Sequence, residues 1–379
     1  MACYEVGPIR PPSEARSLLL RVTRNCPHNR CAFCPVYRGQ RFSIRAVDEV
    51  QADIRELGRV AAALRESSAE LGLEGAITVQ VLRRAARRPD LPAGFSQVGA
   101  FLADGGVNVF LQDANSLVLP ADDLVRVLET LRETFPTVAR ITSYARAHTL
   151  TRRSPEQLRR LREAGLNRIH VGLESGSDEI LALVSKGVDA ARQIEAGLRV
   201  KAAGMELSEY LMPGLGGRTR WREHAEQSAR VLAAIDPHFI RLRTTAVAPG
   251  TELERLVAAG AIEPMDDEEV VAEIRLFLEG LEGTGRLQSD HILNLLPELD
   301  GQLPGDKRRL LAIIDRFQAL PEEERQAFVL ARRAGELGCL DDLARPEALR
   351  RALALLAEVR AHYGDDLRQA VRDLMSQFI

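Results

Sequence analysis

The sequence predicts an α/β protein made of repeated βα units around a parallel sheet, followed by a helical unit. Three observations carry this. Short β-rich runs alternate with amphipathic helical stretches from Leu18 to about Val247. Helix-boundary residues fall where that alternation needs them, and strand signals stop beyond about Asp266.

Taken in order, strands are expected near Leu18–Arg24, Asn108–Gln112, Arg140–Tyr144, Arg168–Leu173, Glu206–Leu211 and Phe239–Thr245. Between them Val47–Leu71, Ala121–Thr134, Pro155–Ala164, Ala190–Ala203 and Trp221–Ile235 repeat apolar residues at three- and four-residue steps, the period of a helix with one buried face. Ser154-Pro155-Glu156-Gln157 places Ser at the N-cap, Pro in the first turn and Gln where it completes a capping box. Gly165 and Gly204 stand where helices stop. The arginine-rich stretch Thr78–Phe95 shows no clear period; it reads as an insertion with a short strand at Ala76–Val81. Val270–Leu281, Lys307–Leu320, Pro321–Gly335 and Pro346–Tyr363 read as helices, reached through a Gly/Pro-containing segment around Gly283–Gly305. The expected division is residues 1–265 for the βα units and 266–379 for a C-terminal helical domain.

With 379 residues, 45% of them hydrophobic, the chain can bury one large core and carry a smaller second unit. Its net charge of −3, with both signs interleaved, gives no strong basic field, so nucleic acid is not supported as a partner. A membrane span needs roughly 20 consecutive apolar residues, and no such run occurs. Met1-Ala2-Cys3-Tyr4-Glu5 leads into no apolar stretch, so the expected location is the cytoplasm.

Three of the five cysteines fall together, in Asn25-Cys26-Pro27-His28-Asn29-Arg30-Cys31-Ala32-Phe33-Cys34-Pro35, a C-x4-C-x2-C spacing. In a reducing compartment such a cluster points to metal before disulfides. Cys26, Cys31 and Cys34 can hold three irons of a [4Fe–4S] cube and leave the fourth open to an outside ligand. The competing readings are a zinc site with His28 as fourth ligand and three unligated loop cysteines. Cys339, without neighbouring cysteines, reads as a small buried apolar residue.

This segment resembles the radical S-adenosylmethionine (SAM) superfamily, whose usual C-x3-C-x-aromatic-C lies after the first strand of a partial (βα)6 TIM-type barrel. Phe33 fills the aromatic place, and one extra residue separates the first two cysteines. The resemblance implies a [4Fe–4S] cluster and S-adenosyl-L-methionine as cofactors, with SAM chelating the open iron. It also implies reductive cleavage to a 5′-deoxyadenosyl radical that abstracts hydrogen from an unidentified substrate, most simply a small molecule. An external electron donor of flavodoxin or ferredoxin type would supply the electron. Two other classes stay open: a non-catalytic cluster- and SAM-binding protein, and a zinc-stabilised binding protein.

Gly172-Leu173-Glu174-Ser175-Gly176-Ser177-Asp178 is similar to the G-[LV]-[EQ]-S-G segment of the branch holding oxygen-independent coproporphyrinogen oxidases, methylthiotransferases and the radical SAM subunit of Elongator. That similarity implies Glu174 as acceptor for the SAM ribose hydroxyls, with Ser175 in support. Read from the residues alone, the same segment is a helix N-terminus capped by Ser177. Met212-Pro213-Gly214-Leu215-Gly216-Gly217 resembles the family's adenine-flanking turn, implying Met212 and Gly214. The turn Ala246-Val247-Ala248 would offer adenine the backbone of Val247. Asp113, ending the second strand, stands where relatives meet the SAM amino group, and Lys186 where they place a cation for its carboxylate.

Substrate-side candidates are polar residues near strand C-termini: Tyr144, Arg146, Ser208, Glu209, Tyr210, Arg241 and Arg243. Alternation places Arg241, Arg243 and Thr245 on one face, and an inward Arg243 would either pair with a protein carboxylate such as Glu209, the favoured reading, or meet an anionic substrate; His170 is expected to be a hydrogen-bonded core histidine.

Overall fold

The computed structural model describes residues 4–92, 94–364 and 366–376. Cys3 lies outside the described residues. By contact clustering the chain forms two units interleaved in sequence. One runs up to Asn29 and adds Val36–Val171 and Leu198–Leu207. The other takes Arg30–Pro35, Gly172–Gly197 and the chain from Ser208 onward.

The elements run β1 (Leu18–Arg21), β2 (Thr23–Arg24), β3 (Ser43–Ile44), α1 (Val47–Glu70), α2 (Val79–Ala85), α3 (Phe95–Ala103), β4 (Asn108–Gln112), α4 (Ala121–Thr134), β5 (Arg140–Ala145), α5 (Ala147–Leu150), α6 (Pro155–Glu163) and β6 (Leu166–Glu174). Then come α7 (Asp178–Leu183), α8 (Ala190–Ala202), β7 (Glu206–Leu211), α9 (Gly217–Ile235), β8 (Phe239–Leu242), α10 (Glu252–Ala258) and α11 (Asp267–Gly280). The chain continues through β9 (Arg286–Gln288), β10 (Gly301–Gln302), α12 (Lys307–Gln318), α13 (Glu322–Arg333), α14 (Pro346–Tyr363) and α15 (Arg368–Ser376).

Strand order is β1-β4-β5-β6-β7-β8-β9-β10. Neighbours as far as β9 succeed one another in chain order with helices between them, and the order never reverses as it does in a doubly wound sheet. β1, β4, β5 and β6 pair in parallel, with Leu20 opposite Leu111, Val109 opposite Ile141 and Tyr144 opposite His170. In the second unit β7, β8 and β9 are parallel, and only β10 is antiparallel to its neighbour β9. This is the predicted α/β class, with each of the six expected strands in place.

In the first unit the strands are buried almost continuously, as parallel strands covered on both faces are: Leu18, Leu19 and Leu20, then Val109, Phe110 and Leu111, then Ile169, His170 and Val171. The helices keep their period, and Val50, Ile54, Leu57, Val60 and Leu64 form the buried face of α1. In the second, Ile240, Leu242 and Leu287 are buried on the strands, and α9 and α11 bury Val231, Leu232, Phe277 and Leu278. Ser154 and Gln157 form the expected capping box. Asp266 and Glu269 form a second one that starts α11.

Two expectations are corrected. No strand occupies Ala76–Val81: Thr78 Oγ1 accepts from Val81 N at 3.4 Å and so caps α2, overriding the strand propensity of Val79 and Val81. Strands also do not stop at Asp266, since β9 and β10 lie within the Gly/Pro-containing segment. At three and two residues they are too short for alternation to show. The sixth strand ends at Leu242. Among the described residues no helix is long and apolar enough to cross a membrane.

Candidate functional site

Local chemistry shapes the cysteine loop. In the first unit β2 and β3 pair antiparallel, Thr23 opposite Ile44 and Arg24 opposite Ser43, so the chain between them leaves and returns through one closed stem. Asp113, fully buried at the end of β4, organises that stem. Its Oδ2 accepts from Arg21 Nε at 2.7 Å and Asn25 N at 2.8 Å, and its Oδ1 from Tyr37 Oη at 3.1 Å. Arg21 also meets Glu5 at 2.7 Å, and Asn25 Nδ2 and Asn29 Nδ2 donate to the carbonyls of Arg41 and Tyr37 at 2.7 and 2.6 Å. Asp113, which stands where relatives meet the SAM amine, thus accepts from donors of the loop and its stem. An Asp113→Ala variant leaves Arg21 and Tyr37 short of a buried acceptor and is expected to lose roughly 3 kcal/mol of stability, read as a lowered thermal midpoint.

Cys26, Cys31 and Cys34 are all half-buried. Asn29 N points at Cys26 Sγ at 3.5 Å, and Cys34 N donates to the Cys31 carbonyl at 3.2 Å, so each end of the motif is a tight turn. Among the described residues no group of three or more His, Cys, Asp or Glu side chains converges on one ion position. A [4Fe–4S] cube spreads its thiolates over separate irons, and half-buried thiols are donors of the kind it takes.

In the second unit the Cys31–Cys34 turn is anchored on both sides through Ala32. Ala32 N donates to the Val184 carbonyl at 2.8 Å, and its own carbonyl accepts from Leu253 N at 2.9 Å. Ala32 sits in an apolar cluster with Ile180, Val184, Met212, Leu215, Leu253 and Ile262, against which Phe33 and Val247 pack. Lys186 Nζ stands 5.9 Å from the Phe33 ring centre. Four residues singled out in the sequence, Phe33, Lys186, Met212 and Val247, therefore come together.

Glu174 closes this group. It ends β6 with φ of +64° and accepts from Lys186 Nζ at 2.8 Å. Room for this pair comes from Gly172, where a Cβ would stand 2.1 Å from Glu174 Oε1 and 2.8 Å from Lys186 Nζ. Behind the carboxylate, the Glu174 carbonyl accepts from Met212 N at 3.0 Å and contacts His224 Nε2 at 3.1 Å. His224 Nδ1 meets Glu273 Oε1 at 2.5 Å, and Gly214 N donates to both Glu273 oxygens at 3.2 Å. Sequence reasoning missed His224 and Glu273. Ser175 is buried as a turn-builder: its hydroxyl accepts from Ser177 N at 3.1 Å and its carbonyl from Gln193 Nε2 at 3.0 Å. Ser177 caps α7, as the residues alone suggested.

The substrate-side set divides. Arg243 is exposed and forms no pair with Glu209; buried Arg241 instead donates to Ser208 Oγ at 3.2 Å and pairs with Asp290. His170 is fully buried between Tyr144, Phe110 and the Glu14 carboxylate 3.7 Å away. Glu209 is 1% exposed, and neither of its carboxylate oxygens has a hydrogen-bond partner. Burial pushes its carboxyl well above the usual carboxylate range, opposed by Lys186 and reinforced by Glu174. A carboxyl held neutral by the fold stabilises fully below its unfolded pKa, and that contribution is lost as pH rises toward the folded value. Glu209→Gln is therefore expected to melt higher than the native protein at pH 8 and level with it at pH 4.

Residues 83–229 match the family described as the Radical SAM superfamily. The matched stretch holds Asp113, Glu174, Lys186, Met212 and Gly214 and begins after the cysteine loop. Over 146 residues the chain is 25% identical to a tRNA uridine(34) acetyltransferase of Methanocaldococcus infernus, covering 36% of this chain and 26% of that protein. An uncharacterized protein of Methanocaldococcus jannaschii is 25% identical over 113 residues, 30% of this chain and 34% of its own. The chain thus spans about a quarter to a third of these curated relatives. Among solved structures, archaeal Methanocaldococcus infernus Elp3 aligns at 19% identity and a TM-score of 0.42, covering 52% of each chain. Methylornithine synthase aligns at 15% identity and 0.42, covering 80% of this chain and 82% of its own.

Proposed function

We propose that this chain, whose residues 83–229 match the Radical SAM superfamily, is a radical SAM enzyme. It holds a [4Fe–4S] cluster on Cys26, Cys31 and Cys34 and SAM beside Glu174 and Lys186. The observation that carries the reading is the shared anchoring of the Cys31–Cys34 turn and the Glu174–Lys186 pair, with Phe33 packed beside Lys186 on one apolar cluster. Bound there, the two cofactors would supply reductive cleavage of the SAM sulfonium and a 5′-deoxyadenosyl radical able to take a hydrogen atom from substrate.

The chain's residues bind and orient. Glu174 accepts from the ribose hydroxyls, Lys186 faces the SAM carboxylate, and Gly214, Met212 and the Val247 backbone flank adenine. Phe33 and the apolar cluster hold the cysteine turn in place. Asp113 acts at one remove by fixing the loop that carries the thiolates. The electron comes from an external flavodoxin- or ferredoxin-type donor, and the protein works in the cytoplasm on a small-molecule substrate. A nucleic-acid substrate is the second reading, favoured by the likeness to the tRNA-acting relative.

The test is anaerobic reconstitution with iron and sulfide, then dithionite and SAM, with 5′-deoxyadenosine measured. Production supports the reading. A colourless protein that retains zinc and makes none would overturn it.

A further inference from the structure

We propose that the buried pair His224–Glu273 is a positioning device that locks the Glu174 strand end to the Gly214 turn, so that the helix after Asp266 sets SAM affinity. This rests on the reading of those two turns as SAM-holding.

The argument is geometric. Both side chains are almost wholly removed from solvent, at 0% and 2% exposure. Nε2 of His224 faces the Glu174 carbonyl at 3.1 Å, and Nδ1 faces Glu273 Oε1 at 2.5 Å. A carbonyl oxygen can only accept, and so can an ionised carboxylate. Both contacts are satisfied together when both ring nitrogens carry protons, which makes the pair imidazolium and carboxylate. Glu273 then has lone pairs left for Gly214 N, which it accepts at 3.2 Å through each oxygen. One proton thus completes a path from β6 through α9 and α11 to the turn after β7.

The groups facing the imidazole agree. Burial works against its charge, but Glu273 on α11, the Glu174 carbonyl on β6 and Glu223 on its own helix outweigh it and raise the His224 pKa. Near the Glu174 strand end, Glu174 is paired with Lys186 at 2.8 Å, and Glu209, coupled to both, is held toward its neutral form by burial. Loss of the shared proton leaves one ring nitrogen facing an acceptor without a hydrogen, and the strand end and turn lose their brace.

The experiment uses the full chain with Glu273→Gln. Hydrogen–deuterium exchange is followed at residues 172–176 and 211–216 and, in parallel, 5′-deoxyadenosine formation is followed against SAM concentration. Exchange in those two segments is expected to quicken about tenfold, as for one buried charge-assisted hydrogen bond lost, with the rest of the chain unchanged. KM for SAM should rise by a similar factor while kcat at saturating SAM stays within about twofold. Native KM should also rise as pH passes the His224 pKa, and the variant should lose that dependence.

Exchange that is unchanged, or that quickens evenly through the chain, overturns the proposal. So does a proportional fall in kcat with KM fixed. If Glu273→Gln does not fold, imidazole nitrogen shifts of the native protein followed against pH decide: a ring that keeps both protons above the ordinary histidine pKa supports the pair, and one bare nitrogen there overturns it. A native protein that makes no 5′-deoxyadenosine overturns the radical SAM reading alone, because exchange and the imidazole shifts still decide the pair.

Discussion

Cys34→Ala protein, reconstituted anaerobically beside the native chain, is expected to be pale and to make no 5′-deoxyadenosine above background. A cube held by Cys26 and Cys31 alone has two irons without protein ligands, and a site that needs one open iron is not made by leaving two open. The loss should be all-or-none. Folding should survive, because the loop is pinned by groups other than the thiols: the stem by Asp113, and the turn by Ala32 between Val184 and Leu253. The thermal midpoint of the apo variant is therefore expected to match that of apo native protein. That match separates loss of a site from loss of a fold. A native protein that carries a cluster yet stays inactive with its variant would favour the non-catalytic binding reading.

What the sequence shows and what it hides divide by the range of the interaction. The start of α6 is legible because Ser154 and Gln157, three residues apart, supply every group of its capping box. The six parallel strands are legible because each is a short β-rich run, buried nearly throughout, set between helical stretches of a different period. β9 and β10 are not, having too few residues for a period.

Within the candidate site, Glu174 and Lys186 stand out by motif and lie 12 residues apart. The roles of Asp113 and Glu273 are invisible in the same text. Asp113 meets Arg21 across 92 positions, and Glu273 meets His224 across 49. Nothing local marks an aspartate at a strand end as a loop anchor, or a glutamate inside an amphipathic helix as a buried partner. Arg243 shows the converse error. Strand alternation suggested an inward side chain, but β8 ends one residue earlier, at Leu242, so the period that placed Arg243 no longer applies.

Gly172→Ala is the sharpest probe of the Glu174 assignment, because it reaches the carboxylate without altering it. The new methyl carbon would stand 2.1 Å from Glu174 Oε1 and 2.8 Å from Lys186 Nζ, while those two atoms are themselves 2.8 Å apart. Both obstacles are ends of flexible side chains, so the backbone need not move and the protein should fold. The pair, however, cannot keep its place. If Glu174 receives the ribose hydroxyls, its displacement costs one or two charge-assisted hydrogen bonds, and KM for SAM should rise about tenfold to a hundredfold. Glu174→Ala should do the same. The double variant decides whether the glycine acts through the carboxylate, since residues that share one interaction are not additive. Gly172→Ala placed on a Glu174→Ala background is expected to add only the smaller loss that comes from moving Lys186 Nζ. A full second loss there would mean that Gly172 serves something other than Glu174, and the ribose assignment would lose its structural support.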